Sequence, residues 1–155
     1  KTIGLMILSI EDGGTAWISG IGIELEETPN KVGSAILNGW DFSVFGSYDA
    51  LLLSKYFQWK EVFEKTIDTL EKSLEIYDAR YWSFYDCNGH LAGPFYHDLD
   101  INLLTVLYEL TGRERFLAAA VRWDSYRKFR LDQVRAFLEK AYQKVREPQE
   151  VVFIR

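Results

Sequence analysis

Residues with acid, base or nucleophilic side chains are concentrated in one segment of the chain, residues 81–100. In this segment Tyr85 precedes Asp86, and Tyr96 precedes His97. A phenol and a carboxylate can donate and accept protons when a weakly acidic carbon must lose a hydrogen. The segment contains two glycines and lies between strongly periodic helical segments. We therefore interpret it as a loop that lines a binding cleft.

A tyrosine acts as a base at neutral pH only if its surroundings stabilise the phenolate. The pKa of a free phenol is about 10, and lowering it to about 7 requires roughly 4 kcal/mol of preferential stabilisation. A nearby cation could provide this stabilisation, and the available cations are His97, Arg80 and the arginines between positions 113 and 130. The alternative is structural: Tyr85 and Tyr96 pack their rings and each donate one hydrogen bond.

Other kinds of site have little support in the sequence. Nucleophile-elbow, phosphate-loop and dinucleotide-binding motifs are absent. The single cysteine excludes an internal disulfide and multi-cysteine zinc patterns. A metal site would have to use His90, His97, Asp98 and Asp100, but their spacing fixes no coordination set. The sequence thus predicts neither a metal nor a cofactor.

The net charge of −5 hides an uneven distribution along the chain. Residues 1–112 contain 7 Lys and Arg against 17 Asp and Glu, whereas residues 113–155 contain 11 against 6. The overall charge argues against a nucleic-acid partner, and the basic last third could attract an anionic ligand. Its arginines could equally form ordinary surface ion pairs. No apolar run is long enough to span a membrane, and the sequence indicates no compartment.

Helical periodicity predicts five helices. The first covers about 34–54 with Ser34 as its N-cap, and the second covers about 58–77. A third ends at Gly112, and Thr111 with Glu114 has the spacing of a capping box at the start of a fourth. The fifth ends before Pro148 and is continuous with the fourth or bent near 130–132. The apolar positions of the five helices are, in order, Leu37, Trp40, Val44, Tyr48 and Leu51; Phe63, Ile67, Leu70, Leu74 and Tyr77; Ile101, Leu104, Leu107 and Tyr108; Phe116, Ala120 and Trp123; and Val134, Leu138, Ala141 and Val145.

These elements predict a mainly α fold. Helix pairs joined by short links favour antiparallel helical hairpins that form part or all of an α/α toroid. The glycine-rich stretch with Thr15–Ile18 and Gly20–Ile23 predicts a small β-hairpin near the N-terminus. We expect residues 1–155 to form a single domain, with a hairpin and loop in 1–33, helices in 34–147 and a short tail in 148–155.

Four motifs occur in a fixed order along the chain, and together they resemble a known family. The first combines Ile36-Leu37-Asn38-Gly39-Trp40 with Phe45-Gly46-Ser47-Tyr48-Asp49. The others are Trp82-Ser83-Phe84-Tyr85-Asp86, then Pro94-Phe95-Tyr96-His97 with Ile101, and Arg122-Trp123 with Tyr126. In type and order they resemble the signatures of the D-glucuronyl C5-epimerase C-terminal domain family. The resemblance covers roughly residues 13–130.

The resemblance implies a toroid-like catalytic domain that inverts C5 of uronic acid residues in a polysaccharide, as in heparan sulfate biosynthesis. The family's Phe-Tyr-Asp tyrosine falls on Tyr85, and its Tyr-His tyrosine falls on Tyr96. Its Glu-Tyr-Pro motif falls on Glu27-Thr28-Pro29, where a threonine replaces the tyrosine. The resemblance also allows this chain to be the C-terminal portion of a longer toroid.

The resemblance and the chemistry together suggest roles for individual residues. Inversion at C5 needs two acid/base groups on opposite faces of the sugar ring, and we assign these to Tyr96 and Glu27. Tyr85 would hydrogen-bond the intermediate or relay a proton, and His97 would orient or tune Tyr96.

Four further residues are predicted to bind the substrate or to support the site. Arg80 and Arg122 could neutralise the substrate carboxylate, although both could instead belong to structural ion pairs. Trp82 could stack on a sugar face, and Asn38 belongs to the motif that carries the resemblance. The expected partner is a uronate-containing polysaccharide. A homodimer or a missing N-terminal domain could cover apolar surface.

Two other functions remain open from the sequence. A uronate polysaccharide lyase would begin with the same proton removal and end with β-elimination. A carbohydrate-binding or interaction domain could keep the scaffold without the catalysis, and Thr28 in place of the family's tyrosine favours this second alternative.

Overall fold

The fold is mainly helical. A computed structural model describes residues 5–18, 20, 22–27, 33–53 and 57–146, with only the backbone at 57 and 58. Five α-helices lie within these residues: α1 (Leu37–Leu53), α2 (Phe57–Ser73), α3 (Pro94–Thr111), α4 (Glu114–Tyr126) and α5 (Arg130–Arg146). A 3-10 turn at Ile10–Asp12 precedes the strands, and another at Leu74–Tyr77 follows α2. The prediction of five helices is confirmed.

The helices are packed as two consecutive pairs. Helix α1 packs against α2, α3 packs against α4, and α1 also contacts α3. The predicted apolar stripes of the first four helices account for most of the core, since Leu37, Trp40, Ile67, Leu104 and Trp123 are all buried. The arrangement is compatible with the helical hairpins of an α/α toroid, and closure of a toroid stays a prediction.

The small β-hairpin is present, but its second strand begins later than predicted. Strand β1 (Ala16–Ile18) pairs antiparallel with β2 (Ile23–Leu25), and Trp17 lies opposite Glu24. Gly20 and Gly22 therefore belong to the connection between the strands. The Ile23 amide donates to Thr69 Oγ1 at 3.2 Å, which fixes the hairpin against α2.

Helix α3 begins well before its predicted apolar stripe. It starts at Pro94, whose fixed φ suits the first helical position. The interpretation of residues 81–100 as one loop was thus wrong in its last third, because Tyr96 and His97 lie on the first turns of a helix. The predicted end at Gly112 is confirmed, since this residue has a φ of 69° and its amide donates to Tyr108 O.

Two predicted caps are wrong in detail. Ser34 does not cap α1, because its hydroxyl donates to Glu26 Oε2 at 3.2 Å. The N-cap of α4 is Arg113, whose side chain makes no capping hydrogen bond to the helix. The Thr111 hydroxyl instead donates to Leu107 O and accepts from the Arg113 amide.

Helix α5 is separated from α4 by residues 127–129, which settles the choice between a continuous and a bent helix. The apolar stripe that predicts α5 is exposed, and Ala136 is its buried residue. The predicted tail at 148–155 lies outside the described residues.

The entry to α1 is held by buried hydrogen bonds around Ala35. This alanine has a φ of 41°, a left-handed conformation that costs an L-residue about 1 kcal/mol or more. Its amide donates to the buried carboxylate of Glu26 at 2.8 Å, and its carbonyl accepts from the Tyr77 hydroxyl at 2.8 Å. These two bonds link the hairpin and the end of the second helical segment to the start of α1.

Removal of the Tyr77 hydroxyl should therefore destabilise the fold. The Tyr77→Phe variant keeps the ring but leaves the buried Ala35 carbonyl without this donor, and we expect a loss of about 1–3 kcal/mol in urea unfolding. Tyr142→Phe on the exposed surface of α5 is the matched control and should change stability little. Equal unfolding midpoints for the two variants would contradict the role given to Tyr77.

Candidate active site

The two predicted catalytic tyrosines are in direct contact. The rings of Tyr85 and Tyr96 lie 5.0 Å apart between centroids with an interplanar angle of 63°, an edge-to-face arrangement. Tyr96 lies on the first turn of α3 and is 40% exposed, whereas Tyr85 is half-buried in the loop before that helix. The pair thus has one ring accessible to a ligand and one held against the protein.

The backbone around Tyr85 is tied to the start of α1. The Leu37 amide donates to Tyr85 O at 3.1 Å, and the Tyr85 amide donates to His90 O at 2.6 Å. A further bond joins the Cys87 amide to Ser34 O at 3.1 Å. The position of the Tyr85 phenol therefore depends on the same entry to α1 that Ala35 shapes.

Glu27 is brought to the same place. Its side chain lies over Gly39 in the first turn of α1, where a Cβ on the glycine would be only 2.6 Å from both Glu27 Cβ and Oε2. The charge of Glu27 also acts on the Tyr85 phenol. The structure therefore places Glu27 close to the tyrosine pair, and it explains why a glycine suits position 39. Thr28 and Pro29 lie outside the described residues.

The Tyr85 phenol stays protonated at neutral pH. Burial raises its pKa above the usual value, and Tyr96, Glu27, Asp86 and Asp100 add to the increase, in that order. These charges disfavour the phenolate. Tyr85 is consequently suited to donate a hydrogen bond or a proton, and not to act as the resting base.

Two carboxyl groups are buried behind the site without hydrogen-bond partners among the described residues. Asp41 of α1 and Asp100 of α3 are fully buried, as is most of Asn38. Burial raises the pKa of both carboxyls well above the usual range, and Asp100 raises that of Asp41 further. Asn38 lies near enough to Asp100 to offset part of the increase in the pKa of that carboxyl. Both acids therefore retain their protons to higher pH than an exposed aspartate does.

The sequence interpretation gave Asp41 no role and considered Asp100 only as a possible metal ligand, although a signal for their burial was present. Asp41 is in phase with Leu37 and Val44 on the apolar stripe of α1. Asp100 is likewise in phase with Leu104 and Leu107 on that of α3. A charged residue in phase with a core stripe is seldom fully buried without a reason. Of the predicted substrate-binding residues, Asn38 is the one that lies beside this pair.

His97 has different partners from those predicted. It is buried, its Nδ1 pairs with Ser83 Oγ at 2.7 Å, and its Nε2 pairs with Trp123 O at 3.3 Å. Burial lowers its pKa to about 4, so the ring is neutral at pH 7 and is not the cation needed to stabilise a phenolate. Adjacent residues of a helix point about 100° apart, which explains why His97 faces the core while Tyr96 faces the cleft.

The other predicted substrate-binding side chains also contact residues of this protein, and these are Trp82, Arg80 and Arg122. Trp82 stacks on His97 with centroids 3.8 Å apart and donates to Ala92 O at 3.0 Å. Arg80 pairs with Glu75 at 2.8 Å, and Arg122 pairs with Asp78 at 2.7 Å. This is the structural alternative that the sequence had left open for the arginines, and their contact with substrate stays a prediction.

Two residues considered for a metal site, His90 and Asp98, pair with other side chains. Asp86 accepts from His90 Nδ1 at 2.6 Å, and Asp98 pairs with Arg127 at 2.8 Å. Within the described ranges no group of three or more His, Cys, Asp or Glu side chains is arranged to hold a metal ion. None of the helices in this part of the chain is long and apolar enough to cross a bilayer.

The fold and the site define a class of protein: a helical domain in which two phenols in contact beside the start of α3 lie near a carboxylate that packs on the start of α1. Comparison with known proteins identifies the family. The model for the D-glucuronyl C5-epimerase C-terminus matches residues 1–125, and the chain belongs to this family. It is also similar to the D-glucuronyl C5-epimerase of Caenorhabditis elegans, with 26% identity over 145 residues. That match covers 81% of this chain and 24% of the relative, so the chain spans about a quarter of the relative's length.

The protonated acids behind the site should make stability depend on pH. In the unfolded chain Asp41 and Asp100 release their protons near pH 3.8, whereas the folded protein retains them to higher pH. The free energy of unfolding should therefore fall as pH rises above about 4, by up to about 1.4 kcal/mol per pH unit for each acid. Urea titrations at several pH values measure this slope.

Amide variants test the assignment of that slope. Asp41→Asn and Asp100→Asn should each flatten the dependence by about half, because the amide mimics the neutral acid without titrating. Asp49→Asn, on the exposed side of α1, is the control and should leave the slope unchanged. The assignment fails if both buried variants keep the slope of the parent chain.

Proposed function

We propose that this chain is the catalytic portion of an epimerase that inverts C5 of uronic acid residues in a polysaccharide. Its membership of the glucuronyl C5-epimerase family supports the reaction class. The observation that carries the proposal is the contact between Tyr85 and Tyr96, with Glu27 near enough for its charge to act on the Tyr85 phenol. These are the three residues to which the resemblance and the chemistry together assign roles.

The reaction requires acid and base groups on both faces of the sugar. The C5 hydrogen is α to the uronate carboxylate, so its removal as a proton leaves a carbanion whose charge spreads onto the carboxylate oxygens. Delivery of a proton to C5 from the opposite face then gives the inverted product. No electron leaves the substrate, and the two-base route requires no redox partner.

We assign the two faces to Tyr96 and Glu27. Tyr96 is the more accessible phenol of the pair, and Glu27 reaches the cleft from the segment before α1. One of them removes the C5 proton and the other delivers a proton, with the two roles exchanged in the reverse direction. The residues that follow β2, including Glu27, and the first turn of α3 are the elements that would hold the two groups apart across the ring.

Tyr85 has the supporting role in this scheme. Its raised pKa keeps the phenol neutral, so it can donate a hydrogen bond to the oxygen that gains charge. The edge-to-face contact with Tyr96 also fixes the orientation of both rings. With His97 neutral and bonded elsewhere, its contribution is to anchor the first turn of α3.

Hydrogen–deuterium exchange at C5 tests the proposal directly. Incubation with heparosan or other uronate polymers in D2O should place deuterium at C5, and NMR detects the exchange. Tyr96→Phe and Glu27→Gln should each slow exchange by about a hundredfold or more, because each removes a proton-transfer group. Tyr142→Phe, on the exposed surface of α5, should exchange at the parent rate.

The remaining outcomes distinguish the alternatives. Unchanged exchange in Tyr96→Phe would exclude the role assigned to that tyrosine. Binding of uronate polymers without exchange would identify a non-catalytic carbohydrate-binding domain, the alternative that Thr28 favours. An unsaturated, ultraviolet-absorbing product would identify a lyase.

Gly39 provides a second test that leaves every acid and base in place. A methyl group at Gly39 would lie 2.6 Å from Glu27 Cβ and Oε2, so Gly39→Ala must displace this side chain. We expect C5 exchange to fall by up to about a hundredfold, since a misplacement of about 1 Å can cost this much.

The matched control lies on the same helix. A Cβ at Gly46 would meet only Met6, at 3.5 Å, which is ordinary van der Waals contact. Gly46→Ala should therefore keep the parent rate. Equal exchange rates in the two alanine variants would show that the position of Glu27 does not matter.

A further inference from the structure

Helix α5 presents its apolar side to solvent. Leu131, Phe137 and Val145 are 83%, 72% and 82% exposed, and Ala136 is the buried residue of the helix. A helix of a globular protein normally turns its apolar face to the core. Helix α5 also lies beyond residues 1–125, which match the family model. Its outer face is therefore not part of the packing that forms the family's core.

The exposed apolar residues form one continuous surface. At about 100° per residue, they fall within an arc of about 140° that runs the length of the helix, about 25 Å. Apart from Arg130 in the first position, this arc contains no charged or amide side chain. We call it the apolar face of α5, and its members are Leu131, Val134, Phe137, Leu138, Ala141, Tyr142 and Val145.

Polar contacts hold the opposite side of α5 against the body of the protein. Gln143 accepts from the Leu91 amide at 2.9 Å and donates to Gly89 O at 3.0 Å. Glu139 accepts from the Tyr81 hydroxyl, and Lys140 donates to Leu91 O. These bonds fix the rotation of the helix about its axis, so the apolar face is directed outward by specific contacts.

Charge is distributed around α5 in a regular way. The helix contains five cations and two carboxylates. Both carboxylates, Asp132 and Glu139, lie on the side opposite the apolar face. Lys144 borders that face along one edge, and Arg135 and Arg146 border it along the other. The Arg135 guanidinium also lies over the Tyr81 ring, 3.7 Å from its centroid, and Lys140 lies on the side that contacts the body of the protein. A surface with this pattern is complementary to a flat apolar layer with anionic groups at its boundary.

A cavity of about 590 Å³ adjoins the lysine edge. Its wall is largely apolar and includes Trp82, Pro94, Phe137 and Ala141, with Lys140 and Lys144 at the same opening. The carboxylate in the wall, Asp98, is already paired with Arg127 at 2.8 Å. Among the described residues neither lysine has a carboxylate partner. Because Lys140 donates to Leu91 O, the cavity offers an apolar recess beside one cation, Lys144, that is available to an anionic headgroup.

We propose that α5 docks on the surface of a bilayer that contains anionic lipids. The helix lies in the plane of the interface, the apolar face enters the boundary between headgroups and acyl chains, and the flanking cations contact lipid phosphates. A second copy of the chain is a poorer occupant if it uses the same face, because the basic edges of the two helices would then meet.

Vesicle flotation with the full 155-residue chain tests this docking. The chain should bind vesicles of phosphatidylcholine mixed with phosphatidylglycerol, and bind phosphatidylcholine alone much more weakly. Lys144→Gln and Arg146→Gln should each lower the partition coefficient for the mixed vesicles by about fivefold. Leu138→Glu should lower it by roughly tenfold or more, since it removes a leucine that would enter the bilayer boundary and adds a charge of the same sign as the anionic lipid.

Val121→Glu is the matched control, because Val121 is 62% exposed on α4 and lies away from the apolar face. It should bind as the parent does, and circular dichroism should show equal helix content in all variants. The proposal is overturned if Leu138→Glu binds like the parent, or if both vesicle types bind equally. It is also overturned if the parent ignores vesicles but self-associates and Leu138→Glu abolishes that association, because the face would then be a protein interface.

Discussion

The short link before α1 is the constraint on which the candidate site depends. Ala35 adopts a left-handed backbone conformation, and the buried Glu26 carboxylate and the Tyr77 hydroxyl hold it there. Two residues further on, the Leu37 amide binds the carbonyl of Tyr85. One turn of chain thus fixes the direction of α1, the hairpin segment before it and the loop that carries a predicted catalytic tyrosine. A change in any of these bonds would move several parts of the site together.

The site also places unfavourable groups in the interior. Asp41 and Asp100 are buried together where α1 meets α3, directly behind the tyrosine pair. An apolar pair of similar size would stabilise this contact more at neutral pH, because a buried acid must retain a proton or lose solvation. Proteins tolerate such groups most readily near functional sites, where local stability is exchanged for a particular electrostatic environment. The nearby Tyr85 phenol is itself partly buried, and this burial is the main reason why its pKa is raised.

The loop at residues 81–92 contributes to two different surfaces. At Tyr85 the loop contributes to the proposed catalytic cleft, while at Gly89 and Leu91 it holds the polar side of α5. On the first turn of α3, Pro94 lines the cavity beside α5, whereas Tyr96 belongs to the candidate active site. The proposed epimerase activity and the proposed lipid contact can consequently be altered by separate substitutions.

The sequence by itself determined the number of helices, the core stripes of the first four and the family, because periodicity and ordered motifs are local properties of a chain. It also identified Glu27, Tyr85 and Tyr96, whose roles stay proposals. Only the tertiary structure showed that these three meet, that Asp41 and Asp100 are buried together, and that the apolar side of α5 faces outward. Periodicity predicts that a helix has an apolar side, whereas the contacts of its polar side decide which way that side points. The same limit explains why residues 81–100 were interpreted as one loop, since the start of α3 is set by Pro94 and by packing against distant residues.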